Sequence, residues 1–385
     1  MTVFPLAETY PGLATLPLAG IASLPTPVER LDVGEDVRAL FIKRDDLTSE
    51  RYGGNKVRKL DLLLGRATSQ ERRAVITFGA YGSNHALATA VHARALGLEP
   101  HVVLSPQAPG PYAARTLRAH AGLGTVLHVV EDWDGKRAAV SAKRELTERD
   151  GVEPLVIPMG GTNPLGAIGY VNAAFELAEQ AGHGRGPAGA LQGREAFEMP
   201  DVIYVAGGTL GTAIGLAIGF ALVAPDTRVV AVRVTPTEVG GVRIAEKLAA
   251  DTVVQLRVLD AAFPTLAFED LRFELREDWY EPGYGVVTPE TTRAVQLAGS
   301  AGIKLETTYT GKALAALLGD ARAHRLRESR VLFWDTYSSA PMPAEGPDEA
   351  LPKELQAYVA ECDRLFGRAT VDAAAAASPA EGDAE

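Results

Sequence analysis

One cysteine, Cys362, is all that this chain of 385 residues contains. An internal disulfide framework is excluded, and so sparse a thiol content points to a reducing compartment. Long apolar runs are missing too: none reaches the ~18 residues of a membrane span, and the N-terminal residues carry no basic-then-apolar targeting pattern. Positive charge is in deficit. With 38 Lys and Arg against 49 Asp and Glu, the formal net charge is −11, which argues against nucleic-acid backbones and anionic membranes as partners. The seven histidines show no ligand spacing with cysteines or carboxylates, so no metal is indicated. Nor is there an internal repeat of the solenoid kind. What remains is a cytoplasmic chain, 46% hydrophobic, long enough for a large core and two domains.

From Arg72 onward, short β-branched runs alternate with helical stretches. Ala74–Thr77, His101–Leu104 and Thr125–Val130 read as strands, with helices over Leu87–Leu96, Arg115–His120 and Lys136–Arg149 between and after them. A second series runs from the strand Asp201–Val205 through the helix Thr212–Leu222 to the strand Thr227–Val234. Such βαβ repetition implies mostly parallel sheets flanked by helices, here two α/β domains. Ligands of open parallel sheets bind beyond the carboxyl ends of the strands, so a cleft between the domains is the expected site. The larger domain is assigned to residues 1–58 and 171–368 and the smaller to 59–170. The Gly-, Pro- and Ala-rich stretch 183–200 reads as an inserted loop, and the small and acidic residues of 369–385 as a disordered tail.

Gly53-Gly54-Asn55-Lys56 is the most informative stretch. Two glycines free the backbone for φ > 0 and for close approach of a ligand, which would hold Lys56 at the mouth of a cleft. A partly desolvated lysine near other cations loses basicity and becomes a nucleophile toward aldehydes. On pattern alone, Lys56, Arg58 and Lys59 could equally be a solvated helix start. Gly207-Gly208-Thr209-Leu210-Gly211-Thr212 joins an apolar strand to a helix, the form that offers backbone N–H groups and a helix dipole to a phosphate. It also fits a tight turn with packing glycines, or a nucleotide loop without the Walker lysine. Ser83-Asn84-His85 reads as a helix cap or as a pair of polar contacts.

Together with Lys43-Arg44-Asp45-Asp46 and Tyr309-Thr310-Gly311-Lys312, these blocks resemble, in order and from about Pro5 to Phe366, pyridoxal-phosphate enzymes of fold type II. The likeness is to the D-cysteine desulfhydrase and 1-aminocyclopropane-1-carboxylate deaminase family. It implies that Lys56, next to Asn55, carries pyridoxal 5'-phosphate, that Gly208, Thr209, Leu210, Gly211 and Thr212 hold its phosphate, and that Asn84 meets its phenolic oxygen. Ser83 is implied to hold the substrate carboxylate, Tyr309 to pack on the ring, Tyr284 to act as a second active-site tyrosine, and Thr336 to line the cofactor. Thr310 is implied as the ring-nitrogen partner. A hydroxyl there leaves the nitrogen nearly neutral, which favours β-elimination over cyclopropane opening.

The sequence departs from the family pattern at Leu210 and Gly82, where glycine and glutamine are usual. Glu306-Thr307-Thr308 replaces the usual Asp-Pro-Val before Tyr309. After the apolar strand, Asp335, Tyr337 and Ser338 replace the histidine and both glycines of His-Thr-Gly-Gly. Strand alternation puts Asp335 and Thr336 on opposite faces. The resulting expectation is a homodimeric lyase releasing a 2-oxo acid and ammonia from a small amino acid such as D-cysteine. The alternatives are a cyclopropane deaminase or a racemase, and, from another class, a cofactor-binding protein in which Tyr337 blocks turnover.

Overall fold

A computed structural model describes residues 4–32, 34, 37–131, 135–182 and 197–368. The loop expected at 183–200 lies outside the described residues as far as 196, and the tail expected at 369–385 lies wholly outside them.

Ten strands form two sheets. The larger has the order β1-β2-β10-β7-β8-β9, built from Val28–Arg30 (β1), Ala39–Arg44 (β2), Val202–Gly207 (β7), Arg228–Arg233 (β8), Phe273–Arg276 (β9) and Arg330–Asp335 (β10). The smaller has the order β5-β4-β3-β6, from Ala74–Ala80 (β3), Glu99–Ser105 (β4), Val126–Val129 (β5) and Leu155–Val156 (β6). All pairings are parallel except β1 with β2. The longer helices are Lys56–Ser69 (α1), Asn84–Ala95 (α2), Pro111–Gly122 (α3), Lys136–Asp150 (α4) and Pro164–Gln180 (α5). Gly211–Val223 (α6), Val242–Leu259 (α7), Pro289–Ser300 (α8), Thr310–Arg322 (α9) and Lys353–Phe366 (α10) complete the set.

Period-two alternation explains why both faces of the large sheet are covered. Ile203, Val205, Leu332 and Trp334 join one core with α1, α5, α6 and α7, whereas Val202, Tyr204, Val331 and Phe333 join another with α8 and α9. The small sheet does the same on a lesser scale. Ala74, Ile76 and Val103 pack on α4, while Val102 and Leu104 pack on α2 and α3 and, across the chain, on Leu355 and Val359 of α10.

The expected elements are present; most run longer than expected, whereas the strands expected at Thr125–Val130 and Thr227–Val234 are shorter, at Val126–Val129 and Arg228–Arg233. Helix α3 starts four residues before Arg115 because Pro111 stands in its first turn, where its missing N–H is not needed. Helix α5 starts at Pro164, under an Asn163 cap whose side chain accepts from Gly166 N at 2.8 Å.

Behind the Lys56 turn lies a buried ionic cluster. Arg58 donates to Asp45 at 2.8 and 2.9 Å and to Glu176 at 2.8 and 2.9 Å, and Lys43 donates to Glu176 at 2.6 Å. The Tyr170 hydroxyl and Trp334 Nε1 each donate to Asp45 at 2.7 Å. This cluster ties β2, α1, α5 and β10 together, so Arg58 is buried, contrary to the solvated reading.

Candidate active site

A cavity of about 470 Å³ opens at the carboxyl ends of the strands. It is lined from β3 by Gly79 and Ala80, from β7 by Ala206 and the turn that follows, and from β10 by Thr336 just beyond its end. Two α/β sheets meeting there is what places residues distant in sequence around one space.

Lys56 begins α1 and lines the cavity. Its Nζ donates to Asn55 Oδ1 at 2.8 Å, and Asn55 Nδ2 donates to Thr212 Oγ1 at 2.9 Å, so one amide connects the amine to the glycine-rich turn. Burial lowers Lys56 to about 8, against an upward pull from the Glu306 carboxyl. Gly54, at φ +89°, makes this placement possible. A Cβ there would lie 2.6 Å from the Tyr337 carbonyl oxygen and 2.8 Å from that of Thr336.

The turn after β7 is built to receive an anion. Helix α6 has no side-chain cap, and among the described residues no acceptor meets the N–H groups of Gly211, Thr212 and Ala213. Buried Lys59 extends to the same place, donating to the Gly160 carbonyl at 3.2 Å and to Thr162 Oγ1 at 3.3 Å. Gly211 must lack a side chain: a Cβ would be 2.7 Å from Thr162 Oγ1 and 2.8 Å from Lys59 Nζ. Thr209 and Thr162 hydroxyls meet at 2.6 Å. Burial, and then Lys56, hold Lys59 well below its usual value. A bound dianion beside it would favour its charged form. Leu210 takes φ +61° and buries its side chain in the core, which turns it away from the cavity at the expense of a left-handed backbone.

A second helix N-terminus at the cavity, that of α9, is not available to an anion. Glu306 accepts from the backbone N–H groups of Thr308, Tyr309 and Thr310 at 2.7, 2.8 and 2.9 Å. Its carboxyl is raised by burial, with those three bonds opposing the rise. Thr310 Oγ1 accepts from Glu306 N at 3.0 Å and contacts Glu306 Oε1 at 3.3 Å. Tyr309 and Tyr284 share a hydroxyl contact of 2.8 Å, and Tyr309 lies beside the phosphate-type turn, 3.3 Å from where a Gly208 Cβ would be.

Ser83 caps α2, its Oγ accepting from Ala86 N at 3.2 Å, and also lines the cavity. Asn84 Oδ1 is taken by the hydroxyls of Tyr52, at 2.9 Å, and Tyr112, which leaves its Nδ2 hydrogens for the cavity. His85 lines the cavity, with Nε2 2.9 Å from Thr77 Oγ1. At Gly82, where the resembling family carries glutamine, Gln107 Oε1 accepts from the backbone N–H at 3.0 Å. Asp335 is buried and accepts from Tyr337 N at 3.1 Å. It does not line the cavity, whereas Thr336 does.

Every residue that the resemblance implied as catalytic or cofactor-binding thus lines one cavity, whereas Asp335 and the Lys43–Asp46 block do not. Tyr52, Tyr112 and Thr162 were not singled out, and Lys59, read only as part of a possible solvated helix start, is buried. Lys59 stands three residues after Lys56 on a helix, hence on the same side, and that spacing was the available signal. The donors fit a phosphate at α6, an aldehyde at Lys56 and a ring beside Tyr309.

This is the site of a pyridoxal-phosphate enzyme of fold type II, and the chain belongs to the pyridoxal-phosphate dependent enzyme family, which it matches over residues 21–336. It is similar, at 32% identity over 339 residues, to D-cysteine desulfhydrase of Serratia proteamaculans (strain 568), covering 86% of this chain and 96% of that one. Among solved structures, an ACC deaminase homologue superposes with a TM-score of 0.69 at 31% identity, covering 88% of this chain and 96% of the other. Threonine deaminase isoform 2 from Solanum lycopersicum shares the fold at 17% identity and a TM-score of 0.55, over 94% and 88% of the two chains.

Proposed function

We propose that the chain is a lyase that removes a β-substituent from a small amino acid, D-cysteine being the first candidate. With water, D-cysteine would give pyruvate, hydrogen sulfide and ammonia. The observation that carries this reading is Lys56, an amine of depressed basicity that lines one cavity with the uncapped α6 N-terminus and the Tyr284–Tyr309 pair. When bound, pyridoxal phosphate supplies an electrophilic aldehyde for the substrate amine and a ring that draws electrons from Cα.

The chain's own groups then divide the work. With a value of about 8, roughly a quarter of Lys56 is neutral at pH 7.5, against about one part in a thousand for an ordinary lysine. Lys56 would hold the aldehyde and is basic enough to take a proton at the substrate's Cα. Thr209, Thr212, Lys59 and the N–H groups of the α6 N-terminus would hold the phosphate. Asn84 Nδ2 would serve the phenolic oxygen, and the Thr310 hydroxyl would serve the ring nitrogen. Ser83 Oγ holds the substrate carboxylate. The Tyr284–Tyr309 pair, whose hydroxyls burial keeps protonated, supplies a proton to the departing β-group.

The two sheets are read as the cores of two domains, with 59–170 the smaller, and the enzyme as a cytoplasmic homodimer. No helix among the described residues is long and apolar enough to cross a membrane.

The test follows the cofactor's visible absorbance and 2-oxo acid release over a panel of D- and L-amino acids, with 1-aminocyclopropane-1-carboxylate included. Lys56→Ala should lose both the borohydride-trapped lysine adduct and turnover. Trapping of another lysine, or a wild type that binds the panel without releasing a 2-oxo acid, sinks the assignment.

A further inference from the structure

We propose that Tyr337 is the residue that limits the size of the substrate's side chain, with Tyr112 and Tyr52 holding its ring as a fixed wall. The inference rests on reading the cavity as an amino-acid pocket and adds which side chains it admits. Tyr337 lines the cavity on a segment where the resembling family carries glycine, so a whole phenol ring occupies space that would otherwise be open.

Backbone and ring contacts hold that residue in place. Its backbone N–H donates to Asp335 Oδ1 at 3.1 Å. Its carbonyl abuts Gly54, where a Cβ would come within 2.6 Å. Lys304 Nζ lies 5.4 Å from the ring centroid. The ring packs beside that of Tyr112, with centroids 6.3 Å apart.

Tyr112 is itself anchored. Its hydroxyl lies 3.1 Å from that of Tyr52, and both phenols reach Asn84 Oδ1. Burial keeps all three phenols protonated, with Tyr52 pushed up to about 12 and Tyr112 and Tyr337 raised as well, so the contacts among Tyr52, Tyr112 and Asn84 persist at working pH. Tyr52 precedes α1, Tyr112 lies on α3, Asn84 on α2 and Tyr337 follows β10. Moving the ring would therefore displace Tyr112, which is itself held to the starts of α1 and α2. A wall so held cannot yield to an added methylene, and a rigid apolar pocket discriminates by roughly ten- to two-hundredfold per excess methylene.

The experiment titrates holoenzyme with alanine, 2-aminobutyrate, norvaline and norleucine in both chiral forms, reading the change in cofactor absorbance. None has a leaving group at Cβ, so binding is measured without elimination. Wild type should bind the short members and lose about tenfold or more at each added carbon beyond the cut-off. Tyr337→Ala should bind norvaline and norleucine at least tenfold more tightly than wild type, Tyr337→Leu should fall between, and Tyr337→Phe should keep the wild-type cut-off. If Tyr337→Ala does not fold, the Leu and Phe variants carry the comparison. A folded Ala or Leu variant with the wild-type ranking, or a wild type that binds norleucine as well as alanine, overturns the proposal. No response to any amino acid in wild type and variant alike overturns it together with the site. A wild type that ranks the series as expected but releases no pyruvate from D-cysteine sinks the elimination reading and leaves the wall standing.

Discussion

Replacing Lys56 with methionine should make the cofactor-free protein more stable at neutral pH. Methionine keeps most of the bulk and removes the charge. Lys56 falls from 10.5 to about 8 on folding, a depression of about 2.5 units, and at 1.36 kcal/mol per unit the buried ammonium costs about 3 kcal/mol below pH 8. Loss of the hydrogen bond to Asn55 takes back about 1 kcal/mol, leaving the variant ahead by about 2 kcal/mol at pH 7. The folded-state value lies below the unfolded one, so between about pH 8 and 10.5 the unfolded chain holds the extra proton and wild-type stability rises with pH. Across that window the advantage of the variant should shrink and then reverse to about −1 kcal/mol, the missing hydrogen bond alone. Urea midpoints of the two cofactor-free proteins from pH 6.5 to 11 measure this. Titrating groups remote from Lys56 are common to both and cancel in the difference, whereas Lys59 and His85, which Lys56 holds down, regain basicity in the variant and add to its advantage at low pH. A difference that does not change with pH, or a variant less stable at pH 7, would refute the claim that burial sets the basicity of Lys56.

Thr212→Ala removes a hydroxyl that lines the cavity, accepts from Asn55 and is proposed to meet the phosphate, and should weaken cofactor retention roughly tenfold on equilibrium dialysis, for a charged acceptor bond of ~1–3 kcal/mol. Leu210→Gly relieves a left-handed backbone worth ~1–2 kcal/mol but empties a core position worth ~3 kcal/mol, so urea denaturation should show a net loss of about 1–2 kcal/mol. Arg58→Met leaves Asp45 and Glu176 buried with a lost cation, and should destabilise by about 3–5 kcal/mol with the largest effect on the Lys56 turn, as read by hydrogen exchange.

The cofactor machinery was legible because its chemistry demands particular backbone. A phosphate at a helix N-terminus needs Gly207-Gly208 and Gly211 in a row, and a lysine in a cleft needs Gly53 and Gly54 beside it, so both leave a local mark. The strands were legible from their apolar runs, but the helix expected from Arg115 begins four residues earlier, at Pro111. Partners brought in from far along the chain left no mark. Glu176 lies 118 residues from Arg58, and Gln107 lies 25 residues from the Gly82 backbone that it serves. Glu306 was visible only as a departure before Tyr309. Its part in closing the α9 N-terminus depends on three hydrogen bonds that only a folded turn provides.

By itself the sequence determined the α/β class and marked out Lys56 beside its glycine pair and the glycine-rich turn before α6, since each is a local pattern of backbone freedom and apolar period. The tertiary structure alone decided how buried Lys56 is, that the α6 N-terminus stays uncapped while Glu306 closes that of α9, and where the ring of Tyr337 stands. Those depend on burial and on hydrogen bonds between elements remote in the chain. Desolvation and steric exclusion are properties of the packed interior, and they arise only when the two sheets and their helices close around one cavity.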